Sequence, residues 1–287
     1  MEARDVRLAG AETGRLAARF TAPHGEALGG IVLVHGLRSD HREFADFPQR
    51  LAARGIATLA LDLSGHGQSE GIRTLVTLDS HKADVDAALD WMAARGHAPC
   101  LVLGHSFGAH AALVAQSHPA AAGAVLVAPQ SRSGGGLGPL RRVGFQVLAM
   151  AARMAPGIAA KLALPVTKNY AACFAEPAAV EWAAGVDWDP GRLSLGTLPY
   201  AAAMNNVAEA ARTPKPMLVV IAEYDRKVPP AASERVAAAA APALGRVLRL
   251  PGAGHSPFAE PKPAAILAQA VADFAIARRG NPGAGNC

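Results

Sequence analysis

The feature that most constrains this chain is a Gly-His-Ser-Phe-Gly pentapeptide at residues 104–108. It directly follows the apolar run Cys100–Leu103 and leads into the helical pattern Phe107–Ser117. Glycines at both ends of the pentapeptide permit a sharp, crowded turn from a strand into a helix. Such a turn lifts the Ser106 hydroxyl above the end of the sheet, beside the positive end of the helix dipole. With its flanking strand and helix, the pentapeptide predicts a nucleophilic serine.

Short runs rich in Val, Ile and Leu alternate with longer Ala-rich segments of helical spacing. This alternation predicts an α/β fold, with a mostly parallel, doubly wound sheet covered by helices on both faces. The predicted strands are Ile31–His35, Ile56–Asp62, Cys100–Gly104, Ala124–Ala128, Met217–Ala222 and Val247–Leu250, with a hairpin at Val6–Leu8 and Leu16–Phe20. The predicted helices are about Glu43–Arg54, Ser80–Arg95, Phe107–Ser117, Ala231–Ala241 and Pro263–Ala277.

One connection is far longer than a crossover helix needs. After the strand Ala124–Ala128, the chain continues to about Arg212 before the next predicted strand begins. We therefore expect residues 131–212 to form an inserted, mainly helical cap. Residues 1–130 and 213–287 are together long enough for one doubly wound core domain.

A serine hydroxyl is a weak nucleophile at neutral pH, so it needs a base that is itself oriented by a carboxylate. Asp225 follows the strand Met217–Ala222, and His255 follows the last strand, in a loop shaped by glycines and a proline. The order Ser, Asp, His along the chain is the one used by this type of strand–turn–helix site. Glu223 is the nearest alternative to Asp225, but it lies closer to the strand, so the register favours Asp225.

A tetrahedral intermediate also needs two hydrogen-bond donors directed at its oxyanion, each typically worth about 10²–10³-fold in rate. One predicted donor is the backbone N–H of Phe107, the residue after the nucleophile. The other is the N–H of Leu37, where Gly36 permits the chain to bend after the strand Ile31–His35. His35 itself is interpreted as a residue that stabilises this loop.

We expect neither a metal ion nor a cofactor. His66 could be grouped with His35, His41 or His105, but no pair has the spacing of two ligands on one helix face, and no acidic residue accompanies them. The loop at residues 65–67 also lacks the third glycine of a dinucleotide-binding motif.

Composition excludes several other classes of protein. Hydrophobic residues make up 51% of the chain, which allows a large core, and aromatic residues only 5%. The net charge of +5 is scattered, so nucleic-acid binding is not indicated. The N-terminus leads into no apolar segment, and the most apolar later stretch, Val143–Val166, is interrupted by charged residues and proline. We therefore expect a cytoplasmic protein without a signal peptide or a membrane span.

Taken together, these residues resemble the α/β-hydrolase superfamily across nearly the whole chain outside the predicted cap. Within it, His35-Gly36, Gly65–Gly71 followed by Arg73, and the pentapeptide at residues 104–108 look like the branch of monoacylglycerol lipases and lysophospholipases, which is grouped with serine-aminopeptidase-like (S33, Hydrolase_4) hydrolases. The resemblance implies an α/β-hydrolase fold with a helical cap that forms an acyl-binding pocket, no cofactor, and a small-molecule acyl ester as substrate.

The resemblance also implies a Ser–His–Asp mechanism, which falls on Ser106, His255 and Asp225. The chain departs from the branch at Phe107 and Ala109, where monoacylglycerol lipases usually have Met and Gly. A second departure is Leu37-Arg38 in the oxyanion loop, in place of small residues. These departures bear on the substrate and not on the chemistry.

The predicted cap is poor in acidic residues. No Asp or Glu occurs from Trp91 through Ala175, and the early cap carries Arg132, Arg141, Arg142, Arg153, Lys161 and Lys168 beside apolar residues. One interpretation is a positive, apolar entrance that contacts acyl chains, anionic head groups or a membrane surface. The other is a helix packed on the core with solvated arginines. The same shortage of carboxylates argues against a proline iminopeptidase, which must hold the free amine of its substrate.

The leading hypothesis is a serine carboxylic-ester hydrolase. An acyltransferase, a thioesterase or a perhydrolase would use the same acyl-enzyme with another acceptor, and a non-catalytic ligand receptor on this scaffold is a further alternative. Tyr200, Asn205 and Asn206 are predicted to line the space that substrate and acceptor occupy.

Overall fold

The computed structural model describes residues 1–10, 14–132, 138–167, 169–187 and 191–279. Eight strands form one sheet and two short ones form a second sheet. The ten strands are β1 (Glu2–Ala9), β2 (Arg15–Ala22), β3 (Gly29–Val34), β4 (Ile56–Leu61), β5 (Cys100–His105), β6 (Ala121–Val127), β7 (Ala163–Pro165), β8 (Arg192–Ser194), β9 (Met217–Ala222) and β10 (Gly245–Leu250). The large sheet has the order β1-β2-β4-β3-β5-β6-β9-β10, and every strand predicted from sequence is confirmed within it.

The six strands β4, β3, β5, β6, β9 and β10 run parallel, whereas β1 and β2 are antiparallel to their neighbours. Parallel strands end at one edge of the sheet, where ligand sites of open α/β sheets form. The loops after β3, β5, β9 and β10 therefore meet at that edge, although they are far apart in sequence.

Helices cover both faces of the sheet. They are α1 (Phe47–Ala52), α2 (Leu78–Ala93), α3 (Gly108–Val114), α4 (Pro139–Met154), α5 (Pro156–Lys161), α6 (Pro177–Gly185), α7 (Leu198–Ala203), α8 (Asn206–Arg212), α9 (Pro230–Ala239) and α10 (Pro261–Arg279). On β3, Val32 and Val34 pack toward α2 and α3, while Ile31 and Leu33 pack toward α1 and α10. This alternation follows the two-residue period of a strand, and it gives the sheet an apolar core on each side.

The predicted helix Glu43–Arg54 is the main difference in the core. The structure divides it into a 3-10 turn, His41–Phe44, and the short helix α1. Ala45 between them has φ +46°, which breaks the helical path, and Pro48 lies in the first turn of α1. Glu43 therefore lies in the 3-10 turn and not in a regular helix, and its side chain lines a cavity at the strand ends.

The long segment between β6 and β9 contains α4 to α8 and the small antiparallel sheet of β7 and β8. Its two ends meet in an antiparallel bridge between Arg132 and Asn205. Hydrogen bonds from Ser194 N to Thr74 Oγ1 and from Val76 N to Thr197 Oγ1 join it to the loop that follows β4. The sequence did not predict β7 and β8, because three-residue strands are too short to show a period. Of the basic residues predicted for this segment, Lys168 lies outside the described residues.

In the part of the chain that the structure describes, no helix is both long enough and apolar enough to cross a membrane.

Phe258, in the loop after β10, joins this edge of the sheet to the core. Its fully buried ring lies 4.9 Å from the ring of Phe44, 5.2 Å from that of Phe47 and 5.4 Å from that of His105, measured between centroids.

We expect Phe258→Ala to lower the free energy of unfolding by about 3–5 kcal/mol, because it leaves a cavity among three rings. Phe258→Leu fills most of that space and should cost clearly less. Urea denaturation of the three proteins measures both effects, and a loss below about 1 kcal/mol for the alanine variant would contradict this packing role.

Candidate active site

Ser106 lies in the sharp turn between β5 and α3, with φ +52°. Its N–H donates a hydrogen bond to Val127 O, at 2.9 Å, which anchors the turn to β6. A positive φ is strained for a serine and indicates a conformation imposed by the surroundings. The two glycines permit it: a Cβ at position 108 would lie 2.5 Å from the His35 carbonyl oxygen, and one at position 104 would lie 2.2 Å from Gly108 O.

His255 and Asp225 extend from Ser106 as a hydrogen-bonded line. His255 Nε2 is 3.0 Å from Ser106 Oγ, and His255 Nδ1 is 2.7 Å from Asp225 Oδ2. Both side chains are almost fully buried. The structure thus brings together three residues that sequence placed after three different strands.

The carboxylate of Asp225 is held from its other side by the chain that follows it. Asp225 Oδ1 accepts hydrogen bonds from the N–H groups of Lys227, at 2.8 Å, and Val228, at 2.7 Å. One oxygen therefore fixes the side chain while the other faces the imidazole. Glu223, the alternative considered from sequence, is exposed at the surface.

His255 is held in its neutral form. Burial lowers its pKa below the ordinary value of 6.5 and outweighs the hydrogen bond to Asp225, which raises it. The nearby positive charges of His105 and Lys227 lower the pKa further. A neutral imidazole with Nδ1–H directed at Asp225 leaves Nε2 as an acceptor, so this arrangement can remove the proton of the Ser106 hydroxyl.

The two predicted oxyanion donors, Leu37 and Phe107, line one cavity together with Ser106. The N–H of the preceding residue, Gly36, donates a hydrogen bond to Glu43 Oε2 at 2.7 Å. Ser39 N donates to Gly36 O, and Arg38 has φ +61°, so the loop after β3 makes a tight turn at this point. Leu37 and Phe107 therefore come from two different loops that reach the same cavity as the serine.

The cavity has a volume of about 330 Å³. One wall is apolar and comes from the segment between β6 and β9: Val166, Tyr170, Phe174, Trp182 and Leu193. The lining also includes the acidic residue Glu43 and the basic residues Arg38 and Lys227. The serine thus opens into a space of mainly apolar character that also holds charged groups.

Tyr200, Asn205 and Asn206 do not line this cavity, which corrects the prediction made for them. The Tyr200 hydroxyl lies 2.8 Å from His81 Nδ1, and its ring packs against Phe107. Asn206 bonds His110 Nδ1 and Gln130 O, while Asn205 caps α8. These residues lie behind the turn that carries Ser106. Their position depends on how a long insertion packs, and local sequence carries no signal of that.

Sequence reasoning missed two residues beside the serine. Glu43 was assigned to a regular helix, and His105 was considered only as a metal ligand. Glu43 Oε1 lies 3.1 Å from His105 Nδ1, and both side chains are largely buried. The available signal was the position of His105 inside the pentapeptide, but nothing in the spacing indicated its acidic partner.

Among the described residues, one group has the composition of a metal site: Asp40, His41 and Asp62. Their atoms already form ion pairs with one another and with the protein. Asp62 Oδ1 accepts from the backbone and the ring of His41, and Asp40 forms a two-point bond with Arg42. We assign no metal to this group.

Comparison with known proteins finds relatives over most of the chain. The sequence pattern of the family described as Hydrolase_4, serine aminopeptidase S33, matches residues 25–262. A monoacylglycerol lipase of Mycolicibacterium smegmatis is 30% identical over 260 residues, which cover 85% of this chain and 87% of that protein.

Two solved structures have the same fold. A monoacylglycerol lipase of Paleococcus ferrophilus matches with a TM-score of 0.73 at 20% identity, over 97% of this chain and 100% of that one. A soluble variant of monoglyceride lipase from Saccharomyces cerevisiae, in complex with a substrate analogue, matches with a TM-score of 0.78 at 16% identity, over 94% and 93% of the two chains. The architecture is therefore the α/β-hydrolase fold.

The lowered pKa of His255 predicts how the reactivity of Ser106 depends on pH. Only neutral His255 can accept the serine proton, and its pKa lies below 6.5. The rate at which a fluorophosphonate modifies Ser106 should therefore fall on acidification with a midpoint below pH 6.5, and stay level just above it. A midpoint at or above pH 6.5 would show that burial does not control this imidazole.

Proposed function

We propose that this chain, which belongs to the serine aminopeptidase S33 (Hydrolase_4) family of α/β hydrolases, is a carboxylic-ester hydrolase. It acts through Ser106, His255 and Asp225 and forms an acyl-enzyme on Ser106. The observation that carries the proposal is the continuous line of hydrogen bonds from Ser106 Oγ through His255 to Asp225. The substrate class is a small acyl ester of the monoacylglycerol type.

In the first half of the reaction, Ser106 Oγ attacks the carbonyl carbon of the ester while its proton passes to His255 Nε2. The electron pair of the carbonyl moves onto oxygen, and the N–H groups of Leu37 and Phe107 stabilise that oxyanion. Asp225 stabilises the imidazolium without taking its proton. The tetrahedral intermediate then expels the alkoxide, which receives the proton from His255 and leaves as an alcohol.

In the second half, water replaces the alcohol. His255 takes a proton from the water as its oxygen attacks the acyl carbon, and returns it to Ser106 Oγ as the carboxylic acid leaves. An acyltransferase, a thioesterase or a perhydrolase would differ only in the leaving group or the second nucleophile. Among the described lining residues, no contact favours one of these three alternatives. The monoacylglycerol lipases among the relatives support hydrolysis of an ester.

The charges around the cavity support an ester over the free amine of an aminopeptidase substrate. A protonated amine needs a carboxylate partner when it is taken from water. Glu43 is the one acidic residue among the described residues that line the cavity, and its carboxylate already pairs with His105. The other charged lining residues, Arg38 and Lys227, are cations and would repel an ammonium group.

The proposal assigns residues 131–212 as a cap on a core formed by residues 1–130 and 213–287. Support comes from the apolar cavity wall, which this segment contributes to the cavity that Ser106 also lines. The bridge between Arg132 and Asn205 brings the start of the segment beside the residue that precedes α8. An apolar wall of this kind suits the acyl chain of the substrate.

The proposal includes a contact between the cap and an anionic lipid surface. Five apolar side chains of α4 recur every three or four residues along one exposed stripe: Leu140, Val143, Val147, Met150 and Met154, each at least 60% exposed. The opposite side of α4 carries Ala149 and Ala152, which pack on the protein. The helix therefore has an apolar face with no described partner.

The basic residues of the same region determine the kind of surface that fits. Arg141, Arg142 and Arg153 belong to α4 and Lys161 to α5, and neither helix contains an acidic residue. An apolar stripe on a helix whose charged residues are all cations is typical of helices that lie in the interface of an anionic membrane, where each basic residue adds about 1 kcal/mol.

Replacing the nucleophile tests the reaction. Ser106→Ala should reduce hydrolysis of p-nitrophenyl esters from C2 to C16 by about 10⁴-fold or more, because no other group takes the acyl chain. Its thermal unfolding temperature should stay close to that of the wild-type protein, because only one partly exposed hydroxyl is lost. Residual turnover close to wild type would overturn the assignment of Ser106.

Replacing one residue of the stripe tests the lipid contact. Val147→Glu should weaken co-sedimentation with vesicles that contain phosphatidylserine, whereas Val247→Glu, a similarly exposed valine on β10, should not. Wild-type protein should bind these vesicles more strongly than vesicles of phosphatidylcholine alone. Equal binding to both kinds of vesicle would contradict the proposed contact.

A further inference from the structure

We propose that Glu43 and His105 form a charged pair of positioning residues, which holds the serine turn, the histidine loop and the oxyanion loop in register and keeps the base His255 neutral. This inference rests on the proposed function, because it concerns the machinery of that reaction. Neither residue is placed to contact the reacting atoms as nucleophile or base. Each acts through a neighbouring group.

The pair makes one contact with each of the three segments. Glu43 Oε2 accepts the N–H of Gly36, at 2.7 Å, in the loop that carries Leu37. His105 is the residue before Ser106, and its Nε2 lies 2.8 Å from His255 O. Glu43 Oε1 and His105 Nδ1 close the connection at 3.1 Å. The chain of contacts therefore runs from the oxyanion loop through the serine turn to the backbone of the base.

Both nitrogens of His105 face oxygen atoms that can only accept. The carbonyl of His255 lies at hydrogen-bond distance from Nε2, and Glu43 Oε1 lies 3.1 Å from Nδ1 as an ion-pair contact without hydrogen-bond alignment. A neutral imidazole has one N–H, which the carbonyl takes, whereas an imidazolium also places a positively charged N–H beside the carboxylate. This arrangement favours a protonated His105.

The charges around His105 act in the same direction. Burial alone would lower its pKa, but the charge and hydrogen bond of Glu43, the carbonyl of His255 and the charge of Asp225 together raise it. Burial would likewise raise the pKa of Glu43, yet His105, the Gly36 N–H and His35 lower it to about 2. Both shifts favour the ionised forms of the pair.

The cation on His105 also affects the base. The rings of His105 and His255 lie 4.8 Å apart between centroids, so a positive charge on one opposes a positive charge on the other. Lys227 acts in the same sense as His105, and Asp225 in the opposite one. Two adjacent histidines thus hold different protonation states, and the one beside the serine remains able to accept a proton.

Two substitutions at Glu43 separate position from charge. In Glu43→Gln, the amide can still accept from Gly36 N–H and donate to a neutral His105, so the contacts are retained without the charges. In Glu43→Ala, the contacts are lost. His105→Gln removes the cation but can still donate to His255 O. His118→Gln is the control, since His118 forms a histidine–carboxylate pair with Asp90 away from the site.

We expect Glu43→Ala to reduce kcat for a p-nitrophenyl ester by on the order of 100-fold, the effect of misplacing one oxyanion donor, with little change in KM. Glu43→Gln should retain kcat within about threefold of wild type, a far smaller loss than that of an oxyanion donor. In both Glu43→Gln and His105→Gln, the rate at which a fluorophosphonate modifies Ser106 should fall on acidification with a midpoint at higher pH than in the wild-type protein. His118→Gln should change neither quantity. Wild-type kcat in Glu43→Ala, or an unmoved limb in both charge variants, would overturn the proposal.

A measurement on the unmodified protein does not depend on any variant being folded. In ¹⁵N NMR at pH 7.5, His105 should give the spectrum of an imidazolium and His255 that of a neutral ring. The signals of each histidine are assigned by their disappearance when that histidine is replaced. A neutral His105 would overturn the proposal by itself. If wild-type protein neither reacts with the fluorophosphonate nor hydrolyses esters, the proposed function fails, while this spectrum still decides the state of His105.

Discussion

The strained turn at Ser106 is the constraint on which the site depends. A positive φ there requires that no side chain occupy positions 104 and 108, because a Cβ at either would collide with backbone oxygens. The absence of those side chains lets α3 approach the end of β3 closely, and this approach brings the loop at Leu37 beside the serine. The same two glycines therefore orient the hydroxyl and form the space in which an oxyanion can be bound.

Around that turn, the two carboxylates Asp225 and Glu43 have different partners and different roles. Asp225 receives two backbone N–H groups and the ring of His255, so its charge is matched inside the protein. Glu43 is matched by His105 and Gly36. A buried ion pair is a weak source of stability, since desolvation offsets most of its attraction. Its value here lies in the positions and protonation states that it imposes on its neighbours.

The parts of the structure that depend on local sequence could be predicted, and the parts that depend on long-range packing could not. Ser106, Asp225 and His255 each follow a clear apolar strand, and parallel strands end at one edge, so their meeting follows from the order of elements. Glu43 could not be placed, because the break at Ala45 interrupts a pattern that reads as one helix.

The prediction for Tyr200, Asn205 and Asn206 was wrong for a related reason. Proximity to the serine in the fold depends on how residues 131–212 pack. The insertion directs Tyr200 toward His81 and Asn206 toward His110, while Asn205 caps α8. The residues that do form the apolar wall, such as Phe174 and Trp182, come from other parts of the same segment. Composition indicated the apolar and basic character of the insertion, but not which side chains face the cavity.

The most direct test of this account is to locate the covalent adduct formed when folded wild-type protein reacts with a fluorophosphonate. Digestion and mass spectrometry should find one adduct per chain, on the peptide that contains Ser106, and none after the protein has been heat-denatured before reaction. An adduct on another serine that lines the cavity, such as Ser39 or Ser256, or no adduct on the folded protein, would contradict the claim that the turn, His255 and Asp225 activate Ser106.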